Sequence, residues 1–97
     1  MKEKLLLCQL FDFYQVLLTS KQKEYFIDYY FDNLSLQEIA ENNQISRNAI
    51  HKQLKEVEEK LFDLENKLKL LQKTAKIEKM IKDNEVKKQV LRILREV

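Results

Sequence analysis

The stretch SLQEIAENNQISRNAIHKQL, residues 35–54, decides the fold. Ser35 is followed three residues later by Glu38, a capping box that predicts the start of a short helix. Residues 42–44, Asn-Asn-Gln, predict a break, because Asn accepts a left-handed backbone at low cost. Ser46 then predicts the N-cap of a second helix. Two capped helices on either side of a short break predict a helix-turn-helix.

The two faces of this segment predict a core and a binding surface. The apolar residues that would pack between the helices are Leu36, Ile39, Ala40, Ile45, Ala49 and Ile50. The polar residues on the opposite face of the second helix, our candidates for nucleic-acid binding, are Ser46, Arg47, Asn48, His51, Lys52 and Lys55. Arg, Asn and His side chains can reach base edges in a major groove, whereas Ser and Lys side chains can hold phosphates. Two alternatives are left open: these residues form an ordinary solvated face, or the unit binds protein, since the same unit also serves as a protein-binding scaffold.

Helical signals continue on both sides of this segment. Apolar spacing, together with a second capping box formed by Thr19 and Gln22, predicts helices over about 4–18, 20–31, 36–42, 46–71, 75–82 and 85–97. The chain has no Gly and no Pro, the residues that sheet proteins use to turn corners. We therefore expect an all-α fold with one helical domain, residues 1–71, that contains the helix-turn-helix at 35–54. Residues 72–97 would form a C-terminal helical extension that packs on this domain or dimerises.

Composition argues against an enzyme. A chain of 97 residues without Gly has no glycine-rich phosphate loop. One cysteine, Cys8, excludes an internal disulfide and a cysteine zinc site, and one histidine, His51, leaves little acid–base chemistry near neutral pH. No carboxylate pair or nucleophile–base spacing stands out. We expect a non-enzymatic protein without a metal or cofactor.

The charge distribution bears on location and partners. Lys2 and Lys4 precede the apolar run 5–8, but polar residues interrupt the next ten positions and no cleavage site appears, so we expect a cytoplasmic protein without membrane insertion. Residues 1–50 hold five basic and seven acidic residues, and residues 51–97 hold thirteen and nine. A polyanion should therefore meet the second half of the chain.

The long helix carries a heptad repeat. Its apolar residues, spaced alternately four and three apart, are Ile50, Leu54, Val57, Leu61, Leu64, Leu68 and Leu71. In a parallel pair Lys60 would face Glu65 of the other copy, so the charges favour a parallel self-pair or packing on another helix of the same fold. The second half of the repeat would need cover from the C-terminal helices, a second subunit, or both. We expect a homodimer whose contacts include Leu64, Leu68, Leu71, Val90 and Leu94.

Aromatic residues are concentrated in the first third of the chain. They are Phe11, Phe13, Tyr14, Tyr25, Phe26, Tyr29, Tyr30 and Phe31. Such rings could stack on unpaired RNA bases. We favour core packing, because in a chain of this size they supply much of the buried area.

Several motifs also resemble a known family. LLTSKQKEYF (Leu17–Phe26), LSLQEIAE (Leu34–Glu41) and ISRNAI (Ile45–Ile50) occur in the order found in the YlxM-type family of helix-turn-helix proteins, and the resemblance covers roughly residues 5–70. It implies an all-helical bundle similar to the promoter-reading domain of sigma factors. The chain departs from the family at Gln44, where Gly is usual, which puts tight DNA docking in doubt more than the fold.

The resemblance also implies a function. The family is associated with the signal recognition particle pathway, so the first hypothesis is a regulatory protein that contacts the RNA of the particle or its GTPase subunit. The second, from the Arg47, Asn48 and His51 face, is a DNA-binding transcriptional regulator. The sequence leaves open whether the partner is DNA, RNA or protein.

Overall fold

The computed structural model describes residues 2–81 and 84–95, and all regular structure in these ranges is helical. Six α-helices follow one another: α1 (Lys2–Tyr14), α2 (Ser20–Phe26), α3 (Leu36–Asn43), α4 (Arg47–Leu68), α5 (Leu70–Met80) and α6 (Asn84–Arg95). A 3-10 turn, Gln15–Leu17, follows α1, and a π-helical segment, Ile27–Phe31, continues α2. The predicted all-α class is confirmed.

Both predicted capping boxes form. The Thr19 hydroxyl accepts a hydrogen bond from the Gln22 backbone N–H (3.1 Å), and the Gln22 side chain accepts from the Thr19 N–H (2.9 Å). Ser35 and Glu38 exchange the same two bonds, at 3.1 and 3.0 Å. Four backbone N–H groups that the helices cannot satisfy themselves are thereby paired, so α2 and α3 begin where the sequence predicts.

Helix α1 is shorter than predicted. It ends at Tyr14 rather than at Leu18. Its inner face includes Leu7, which is buried, whereas Leu6 is 36% exposed. Leu17, which lies within the predicted helix, is 43% exposed because the chain has already tightened into the 3-10 turn.

The long helix also ends early. It stops at Leu68 instead of continuing to Leu71, because Lys69 adopts a left-handed backbone with φ 55°. Helix α5 then begins at once, at Leu70, and not near Ala75 as expected. The predicted ends of the last two helices, at 82 and 97, lie outside the described residues.

Most of the core lies between α1, α2 and α4. Its buried members are Leu7, Leu10, Phe11, Phe13, Tyr14, Leu18, Phe26, Val57 and Leu61. Phe11 and Phe26 stack with ring centroids 4.5 Å apart, and Tyr30 stacks on Phe26 at the same distance. The preference for core packing over a base-stacking platform is confirmed for these rings, although Tyr29 and Phe31 remain 37% and 46% exposed.

Glu65 of α4 holds the start of α5. Its carboxylate accepts hydrogen bonds from the backbone N–H groups of Leu71 (3.1 Å) and Gln72 (3.3 Å). Helix α5 has no capping side chain at its own N-cap, Lys69, so this carboxylate pairs the second and third of its free N–H groups. These bonds tie the first turn of α5 to the last turns of α4 and so stabilise the bend at Lys69.

Candidate nucleic-acid interface

The turn between α3 and α4 is a Schellman motif without glycine. Gln44 adopts the left-handed conformation (φ 57°, ψ 39°), its N–H donates to the Glu41 carbonyl (3.3 Å), and the Ile45 N–H donates to the Ala40 carbonyl (3.1 Å). The prediction that an Asn would adopt this conformation is wrong, because Asn43 is still helical. Its side-chain Nδ2 instead donates to the Ile39 carbonyl (2.7 Å), one helical turn earlier in α3.

Ser46 opens α4 as predicted. Its side-chain oxygen accepts a hydrogen bond from the Ala49 N–H (3.1 Å), and its carbonyl accepts from the Ile50 N–H (3.2 Å). This cap directs the chain into α4 immediately after the turn, so the first turn of α4 lies at the protein surface.

A small second core joins the two helices. Its buried members are Tyr25, Ile39, Ala40, Ile50 and Leu54. Of the predicted inward residues, Leu36 and Ala49 are only partly buried. Ile45 was expected to be buried but is 39% exposed, because it lies in the turn that the Schellman bonds hold at the surface.

The predicted binding residues share one exposed surface, which we call the recognition face. Its members are Ser46, Arg47, Asn48, His51, Lys52 and Lys55, and all six are exposed. The sequence has no acidic residue between Asn42 and Lys55. Among the residues that the structure describes, Arg47, Lys52 and Lys55 form no salt bridge, so their charge is available to an anion. The surface can therefore contact phosphates and base edges.

Beyond Lys55 the exposed side of α4 changes sign. Glu56, Glu59 and Asp63 are all exposed, and Asp63 forms a salt bridge with Lys67 (2.9 Å). We call Glu56, Glu59 and Asp63 the acidic band. It limits the basic surface of α4 to the first half of the helix.

Lys21 is a residue that sequence reasoning missed. Its ammonium donates to Asn43 Oδ1 (3.2 Å), pairs with Glu24 (3.3 Å) and lies 5.9 Å from the centre of the Tyr25 ring. It thus links α2 to the turn that precedes the recognition face. Nothing in the sequence signals this contact, since the two residues are 22 positions apart.

The predicted dimer residues differ in their exposure to solvent. Leu64 and Leu71 are half-buried and pack against the larger core of the monomer, whereas Leu68 is 41% exposed. Val90 and Leu94 are half-buried on α6. The homodimer stays a prediction.

A second polar surface lies away from the helix-turn-helix. A cavity of about 480 Å³ is lined in part by Glu3, Tyr29, Tyr30 and Glu58. Burial raises the pKa of the Glu58 carboxyl, against the opposing effect of the hydrogen bond from Tyr30, and burial also raises the pKa of the Tyr30 hydroxyl. Within residues 2–81 and 84–95, no three His, Cys, Asp or Glu side chains converge to hold a metal ion.

The capped helix pair and its exposed polar face define the chain as a helix-turn-helix protein. The profile of the UPF0122 family, described as "Putative helix-turn-helix protein, YlxM / p13 like", matches residues 1–96. The chain belongs to this family, and the resemblance found in the sequence is confirmed.

The chain is also similar to individual members of that family. It is 49% identical over 85 residues to a UPF0122 protein of Malacoplasma penetrans, which covers 84% of this chain and 79% of the relative. It is 50% identical over 76 residues to one of Listeria welshimeri (78% and 69%), and 47% identical over 83 residues to one of Bacillus thuringiensis (78% and 76%). No solved structure matches the chain. In the described part of the chain, no helix combines the length and apolar character that a membrane crossing requires.

Proposed function

We propose that this protein is a non-enzymatic regulator that binds nucleic acid through the recognition face and acts in the signal recognition particle pathway. The observation that carries the proposal is the run from Asn42 to Lys55, which lacks acidic residues and whose basic side chains are exposed and free of salt bridges within the described ranges. Phosphate binding needs unpaired positive charge at the surface, and the first turns of α4 supply it.

The pathway rests on the resemblance of the motifs at Leu17–Phe26, Leu34–Glu41 and Ile45–Ile50 to the YlxM-type family. The expected partner is the RNA of the particle, and its GTPase subunit is the alternative contact. Cytoplasmic location follows from such a partner and belongs to the same proposal.

Co-purification tests this proposal. A tagged wild-type protein should recover the particle RNA from lysate, and the variant Arg47→Ala/Lys52→Ala should recover much less. Lys23→Gln/Lys60→Gln is the matched control, because it removes the same charge from helix positions outside the recognition face. Recovery of the GTPase without the RNA would identify a protein, and not RNA, as the partner. Recovery of neither would contradict the proposal.

The same face also favours a second candidate, a DNA-binding transcriptional regulator. Arg47 and Asn48 lie in the first turn of α4, where the recognition helix of a helix-turn-helix contacts base edges. Under this candidate, Arg47→Ala should cost about 1–3 kcal/mol of binding free energy and relax specificity. Footprinting that finds no preferred duplex would count against DNA.

A further inference from the structure

We propose that α5 carries a second nucleic-acid contact that binds the phosphate backbone of the same RNA. The contact is a row of four lysines, which we call the lysine row: Lys69, Lys73, Lys76 and Lys79. The inference rests on the proposed RNA-binding function and adds a second site to it.

The four lysines lie along one side of α5, with Lys69 at its N-cap and Lys73, Lys76 and Lys79 within the helix. They are spaced four, three and three residues apart, the spacing of neighbours on a helix surface. All four are exposed and line one groove of about 450 Å³ together with Gln72 and Ala75. At a helical rise of about 1.5 Å per residue, the row is roughly 15 Å long.

The row is not balanced by nearby acids. From Asn66 to Ile77 the sequence contains no acidic residue, and Glu78 is not among the residues that line the groove. In the described part of the chain none of the four lysines forms a salt bridge, whereas Lys21 and Lys67 do. Lysines three or four residues apart repel each other and destabilise a helix, and a bound polyanion would remove this repulsion.

The position of the row is fixed by the fold. Lys69 lies at the bend between α4 and α5, with φ 55°, and the Glu65 carboxylate binds two N–H groups in the first turn of α5. A cation at a helix N-terminus destabilises the helix, because it lies at the positive end of the helix dipole. Glu65 offsets that effect at Lys69, so the row is held in place despite its charge.

The chemistry of the row matches a phosphate backbone and not bases. The groove contains no aromatic ring on which a base could stack and no guanidinium for a bidentate contact with a base edge. Ammonium groups on flexible stems act as point charges and neutralise phosphates without reading sequence.

The acidic band favours a folded RNA over a straight duplex. Glu56, Glu59 and Asp63 lie along α4 between Lys55 and Lys69. A straight duplex laid along α4 would be repelled by these carboxylates. An RNA that folds back on itself can contact the recognition face and the lysine row without following the band.

Salt titration of RNA binding tests the inference. The probe is the signal recognition particle RNA transcribed in vitro, and a mixed-sequence DNA duplex and vesicles containing anionic lipid are the comparison arms. Lys73→Gln/Lys76→Gln keeps the aliphatic stems and good helix propensity while removing two charges. It should weaken RNA binding roughly tenfold in moderate salt and reduce the slope of log affinity against log salt by about 1.5. The control Lys23→Gln/Lys60→Gln should leave that slope unchanged.

The outcomes separate the two proposals. If Arg47→Ala/Lys52→Ala weakens RNA binding but Lys73→Gln/Lys76→Gln leaves the affinity and slope unchanged, the lysine row is not a contact and the recognition face stands. If only the lysine-row variant weakens binding, the inference stands and the recognition face fails. If the wild type binds no RNA, or if the lysine-row variant affects only vesicle or duplex binding, the inference is overturned.

Discussion

The hydroxyl of Tyr14 donates a 2.7 Å hydrogen bond to Glu65 Oε1, although the two residues are 51 positions apart. The same hydroxyl accepts a 3.1 Å hydrogen bond from the Leu70 N–H, and Glu65 binds the next two N–H groups of α5. Burial and the bond to Glu65 raise the pKa of Tyr14 to about 12, so the hydroxyl keeps its proton at neutral pH. The end of α1 thus holds the junction of α4 and α5.

Tyr14→Phe should destabilise this junction. The substitution keeps the buried ring but leaves the Leu70 N–H and one Glu65 oxygen without this partner, so the free energy of unfolding should fall by about 1–2 kcal/mol. Urea denaturation followed by circular dichroism measures it. Tyr29→Phe is the control, because Tyr29 is 37% exposed. Equal losses in the two variants would contradict the role of the Tyr14 hydroxyl.

Gln44→Gly should stabilise the protein. Gln44 has φ 57°, a conformation that is strained for a residue with a Cβ atom. The strain energy that glycine removes from the folded state should exceed the entropic cost of ordering a more flexible chain. We expect a gain of about 0.5–1 kcal/mol in the free energy of unfolding. Gln53→Gly, inside α4, should instead cost about 1 kcal/mol. Thermal unfolding of both variants compares them, and a loss at position 44 would show that the Gln side chain supports the turn.

Substitution of Val for Thr should change the free energy of unfolding in opposite directions at Thr74 and Thr19. Thr74 is 4% exposed, and its hydroxyl has no hydrogen-bond partner among the described residues, so Thr74→Val should raise the free energy of unfolding by about 1 kcal/mol. Thr19 caps α2 through its hydroxyl, and Thr19→Val should lower it by about 1 kcal/mol. Chemical denaturation distinguishes the two signs. A loss of stability at both positions would mean that the Thr74 hydroxyl is paired in solution.

Glu58→Gln should change how stability depends on pH. Burial raises the pKa of the Glu58 carboxyl, so the folded state holds this proton more tightly than the unfolded state, and stability is lost as pH rises from the ordinary glutamate value of about 4.3. The variant cannot ionise, and its amide oxygen can still accept the Tyr30 hydrogen bond. Its advantage over wild type should be largest at pH 7 and shrink below about pH 4.

Urea denaturation at a series of pH values measures this difference. Glu59→Gln, at the exposed neighbouring position, controls for the loss of one negative charge. A pH-independent difference between Glu58→Gln and wild type would refute a proton-linked cost at Glu58.

Local signals in the sequence predicted much of the fold. The capping boxes at Thr19 and Ser35 and the cap at Ser46 depend only on residues three positions apart, and each is found as predicted. The six members of the recognition face follow from helical spacing after Ser46, and their exposure agrees with it. Short-range patterns are sufficient for such features because the interacting groups lie within one helical turn.

Long-range contacts explain what the sequence did not predict. The heptad repeat favours one helix through Leu71, and nothing near Lys69 signals a bend, since Lys is an ordinary helix former. The bend is stabilised instead by Glu65 and by Tyr14 on α1. Lys21 reaches Asn43 in the same way, through tertiary packing that spacing alone does not reveal. The recognition face was predictable because it is local, whereas the fixed placement of the lysine row was not.

A single residue, Lys69, separates α4 from α5, so the two helices have no slack between them. Each added residue rotates the following chain by about 100° around a helix axis. One insertion between Leu61 and Glu65 would therefore turn Glu65 and Leu70 away from the Tyr14 hydroxyl that both contact, and it would move the ammonium groups of α5 to another side of the molecule. The number of residues in α4 sets the distance and the angle between the two basic surfaces. A change in the length of α4 should therefore disturb their arrangement far more than a substitution within it.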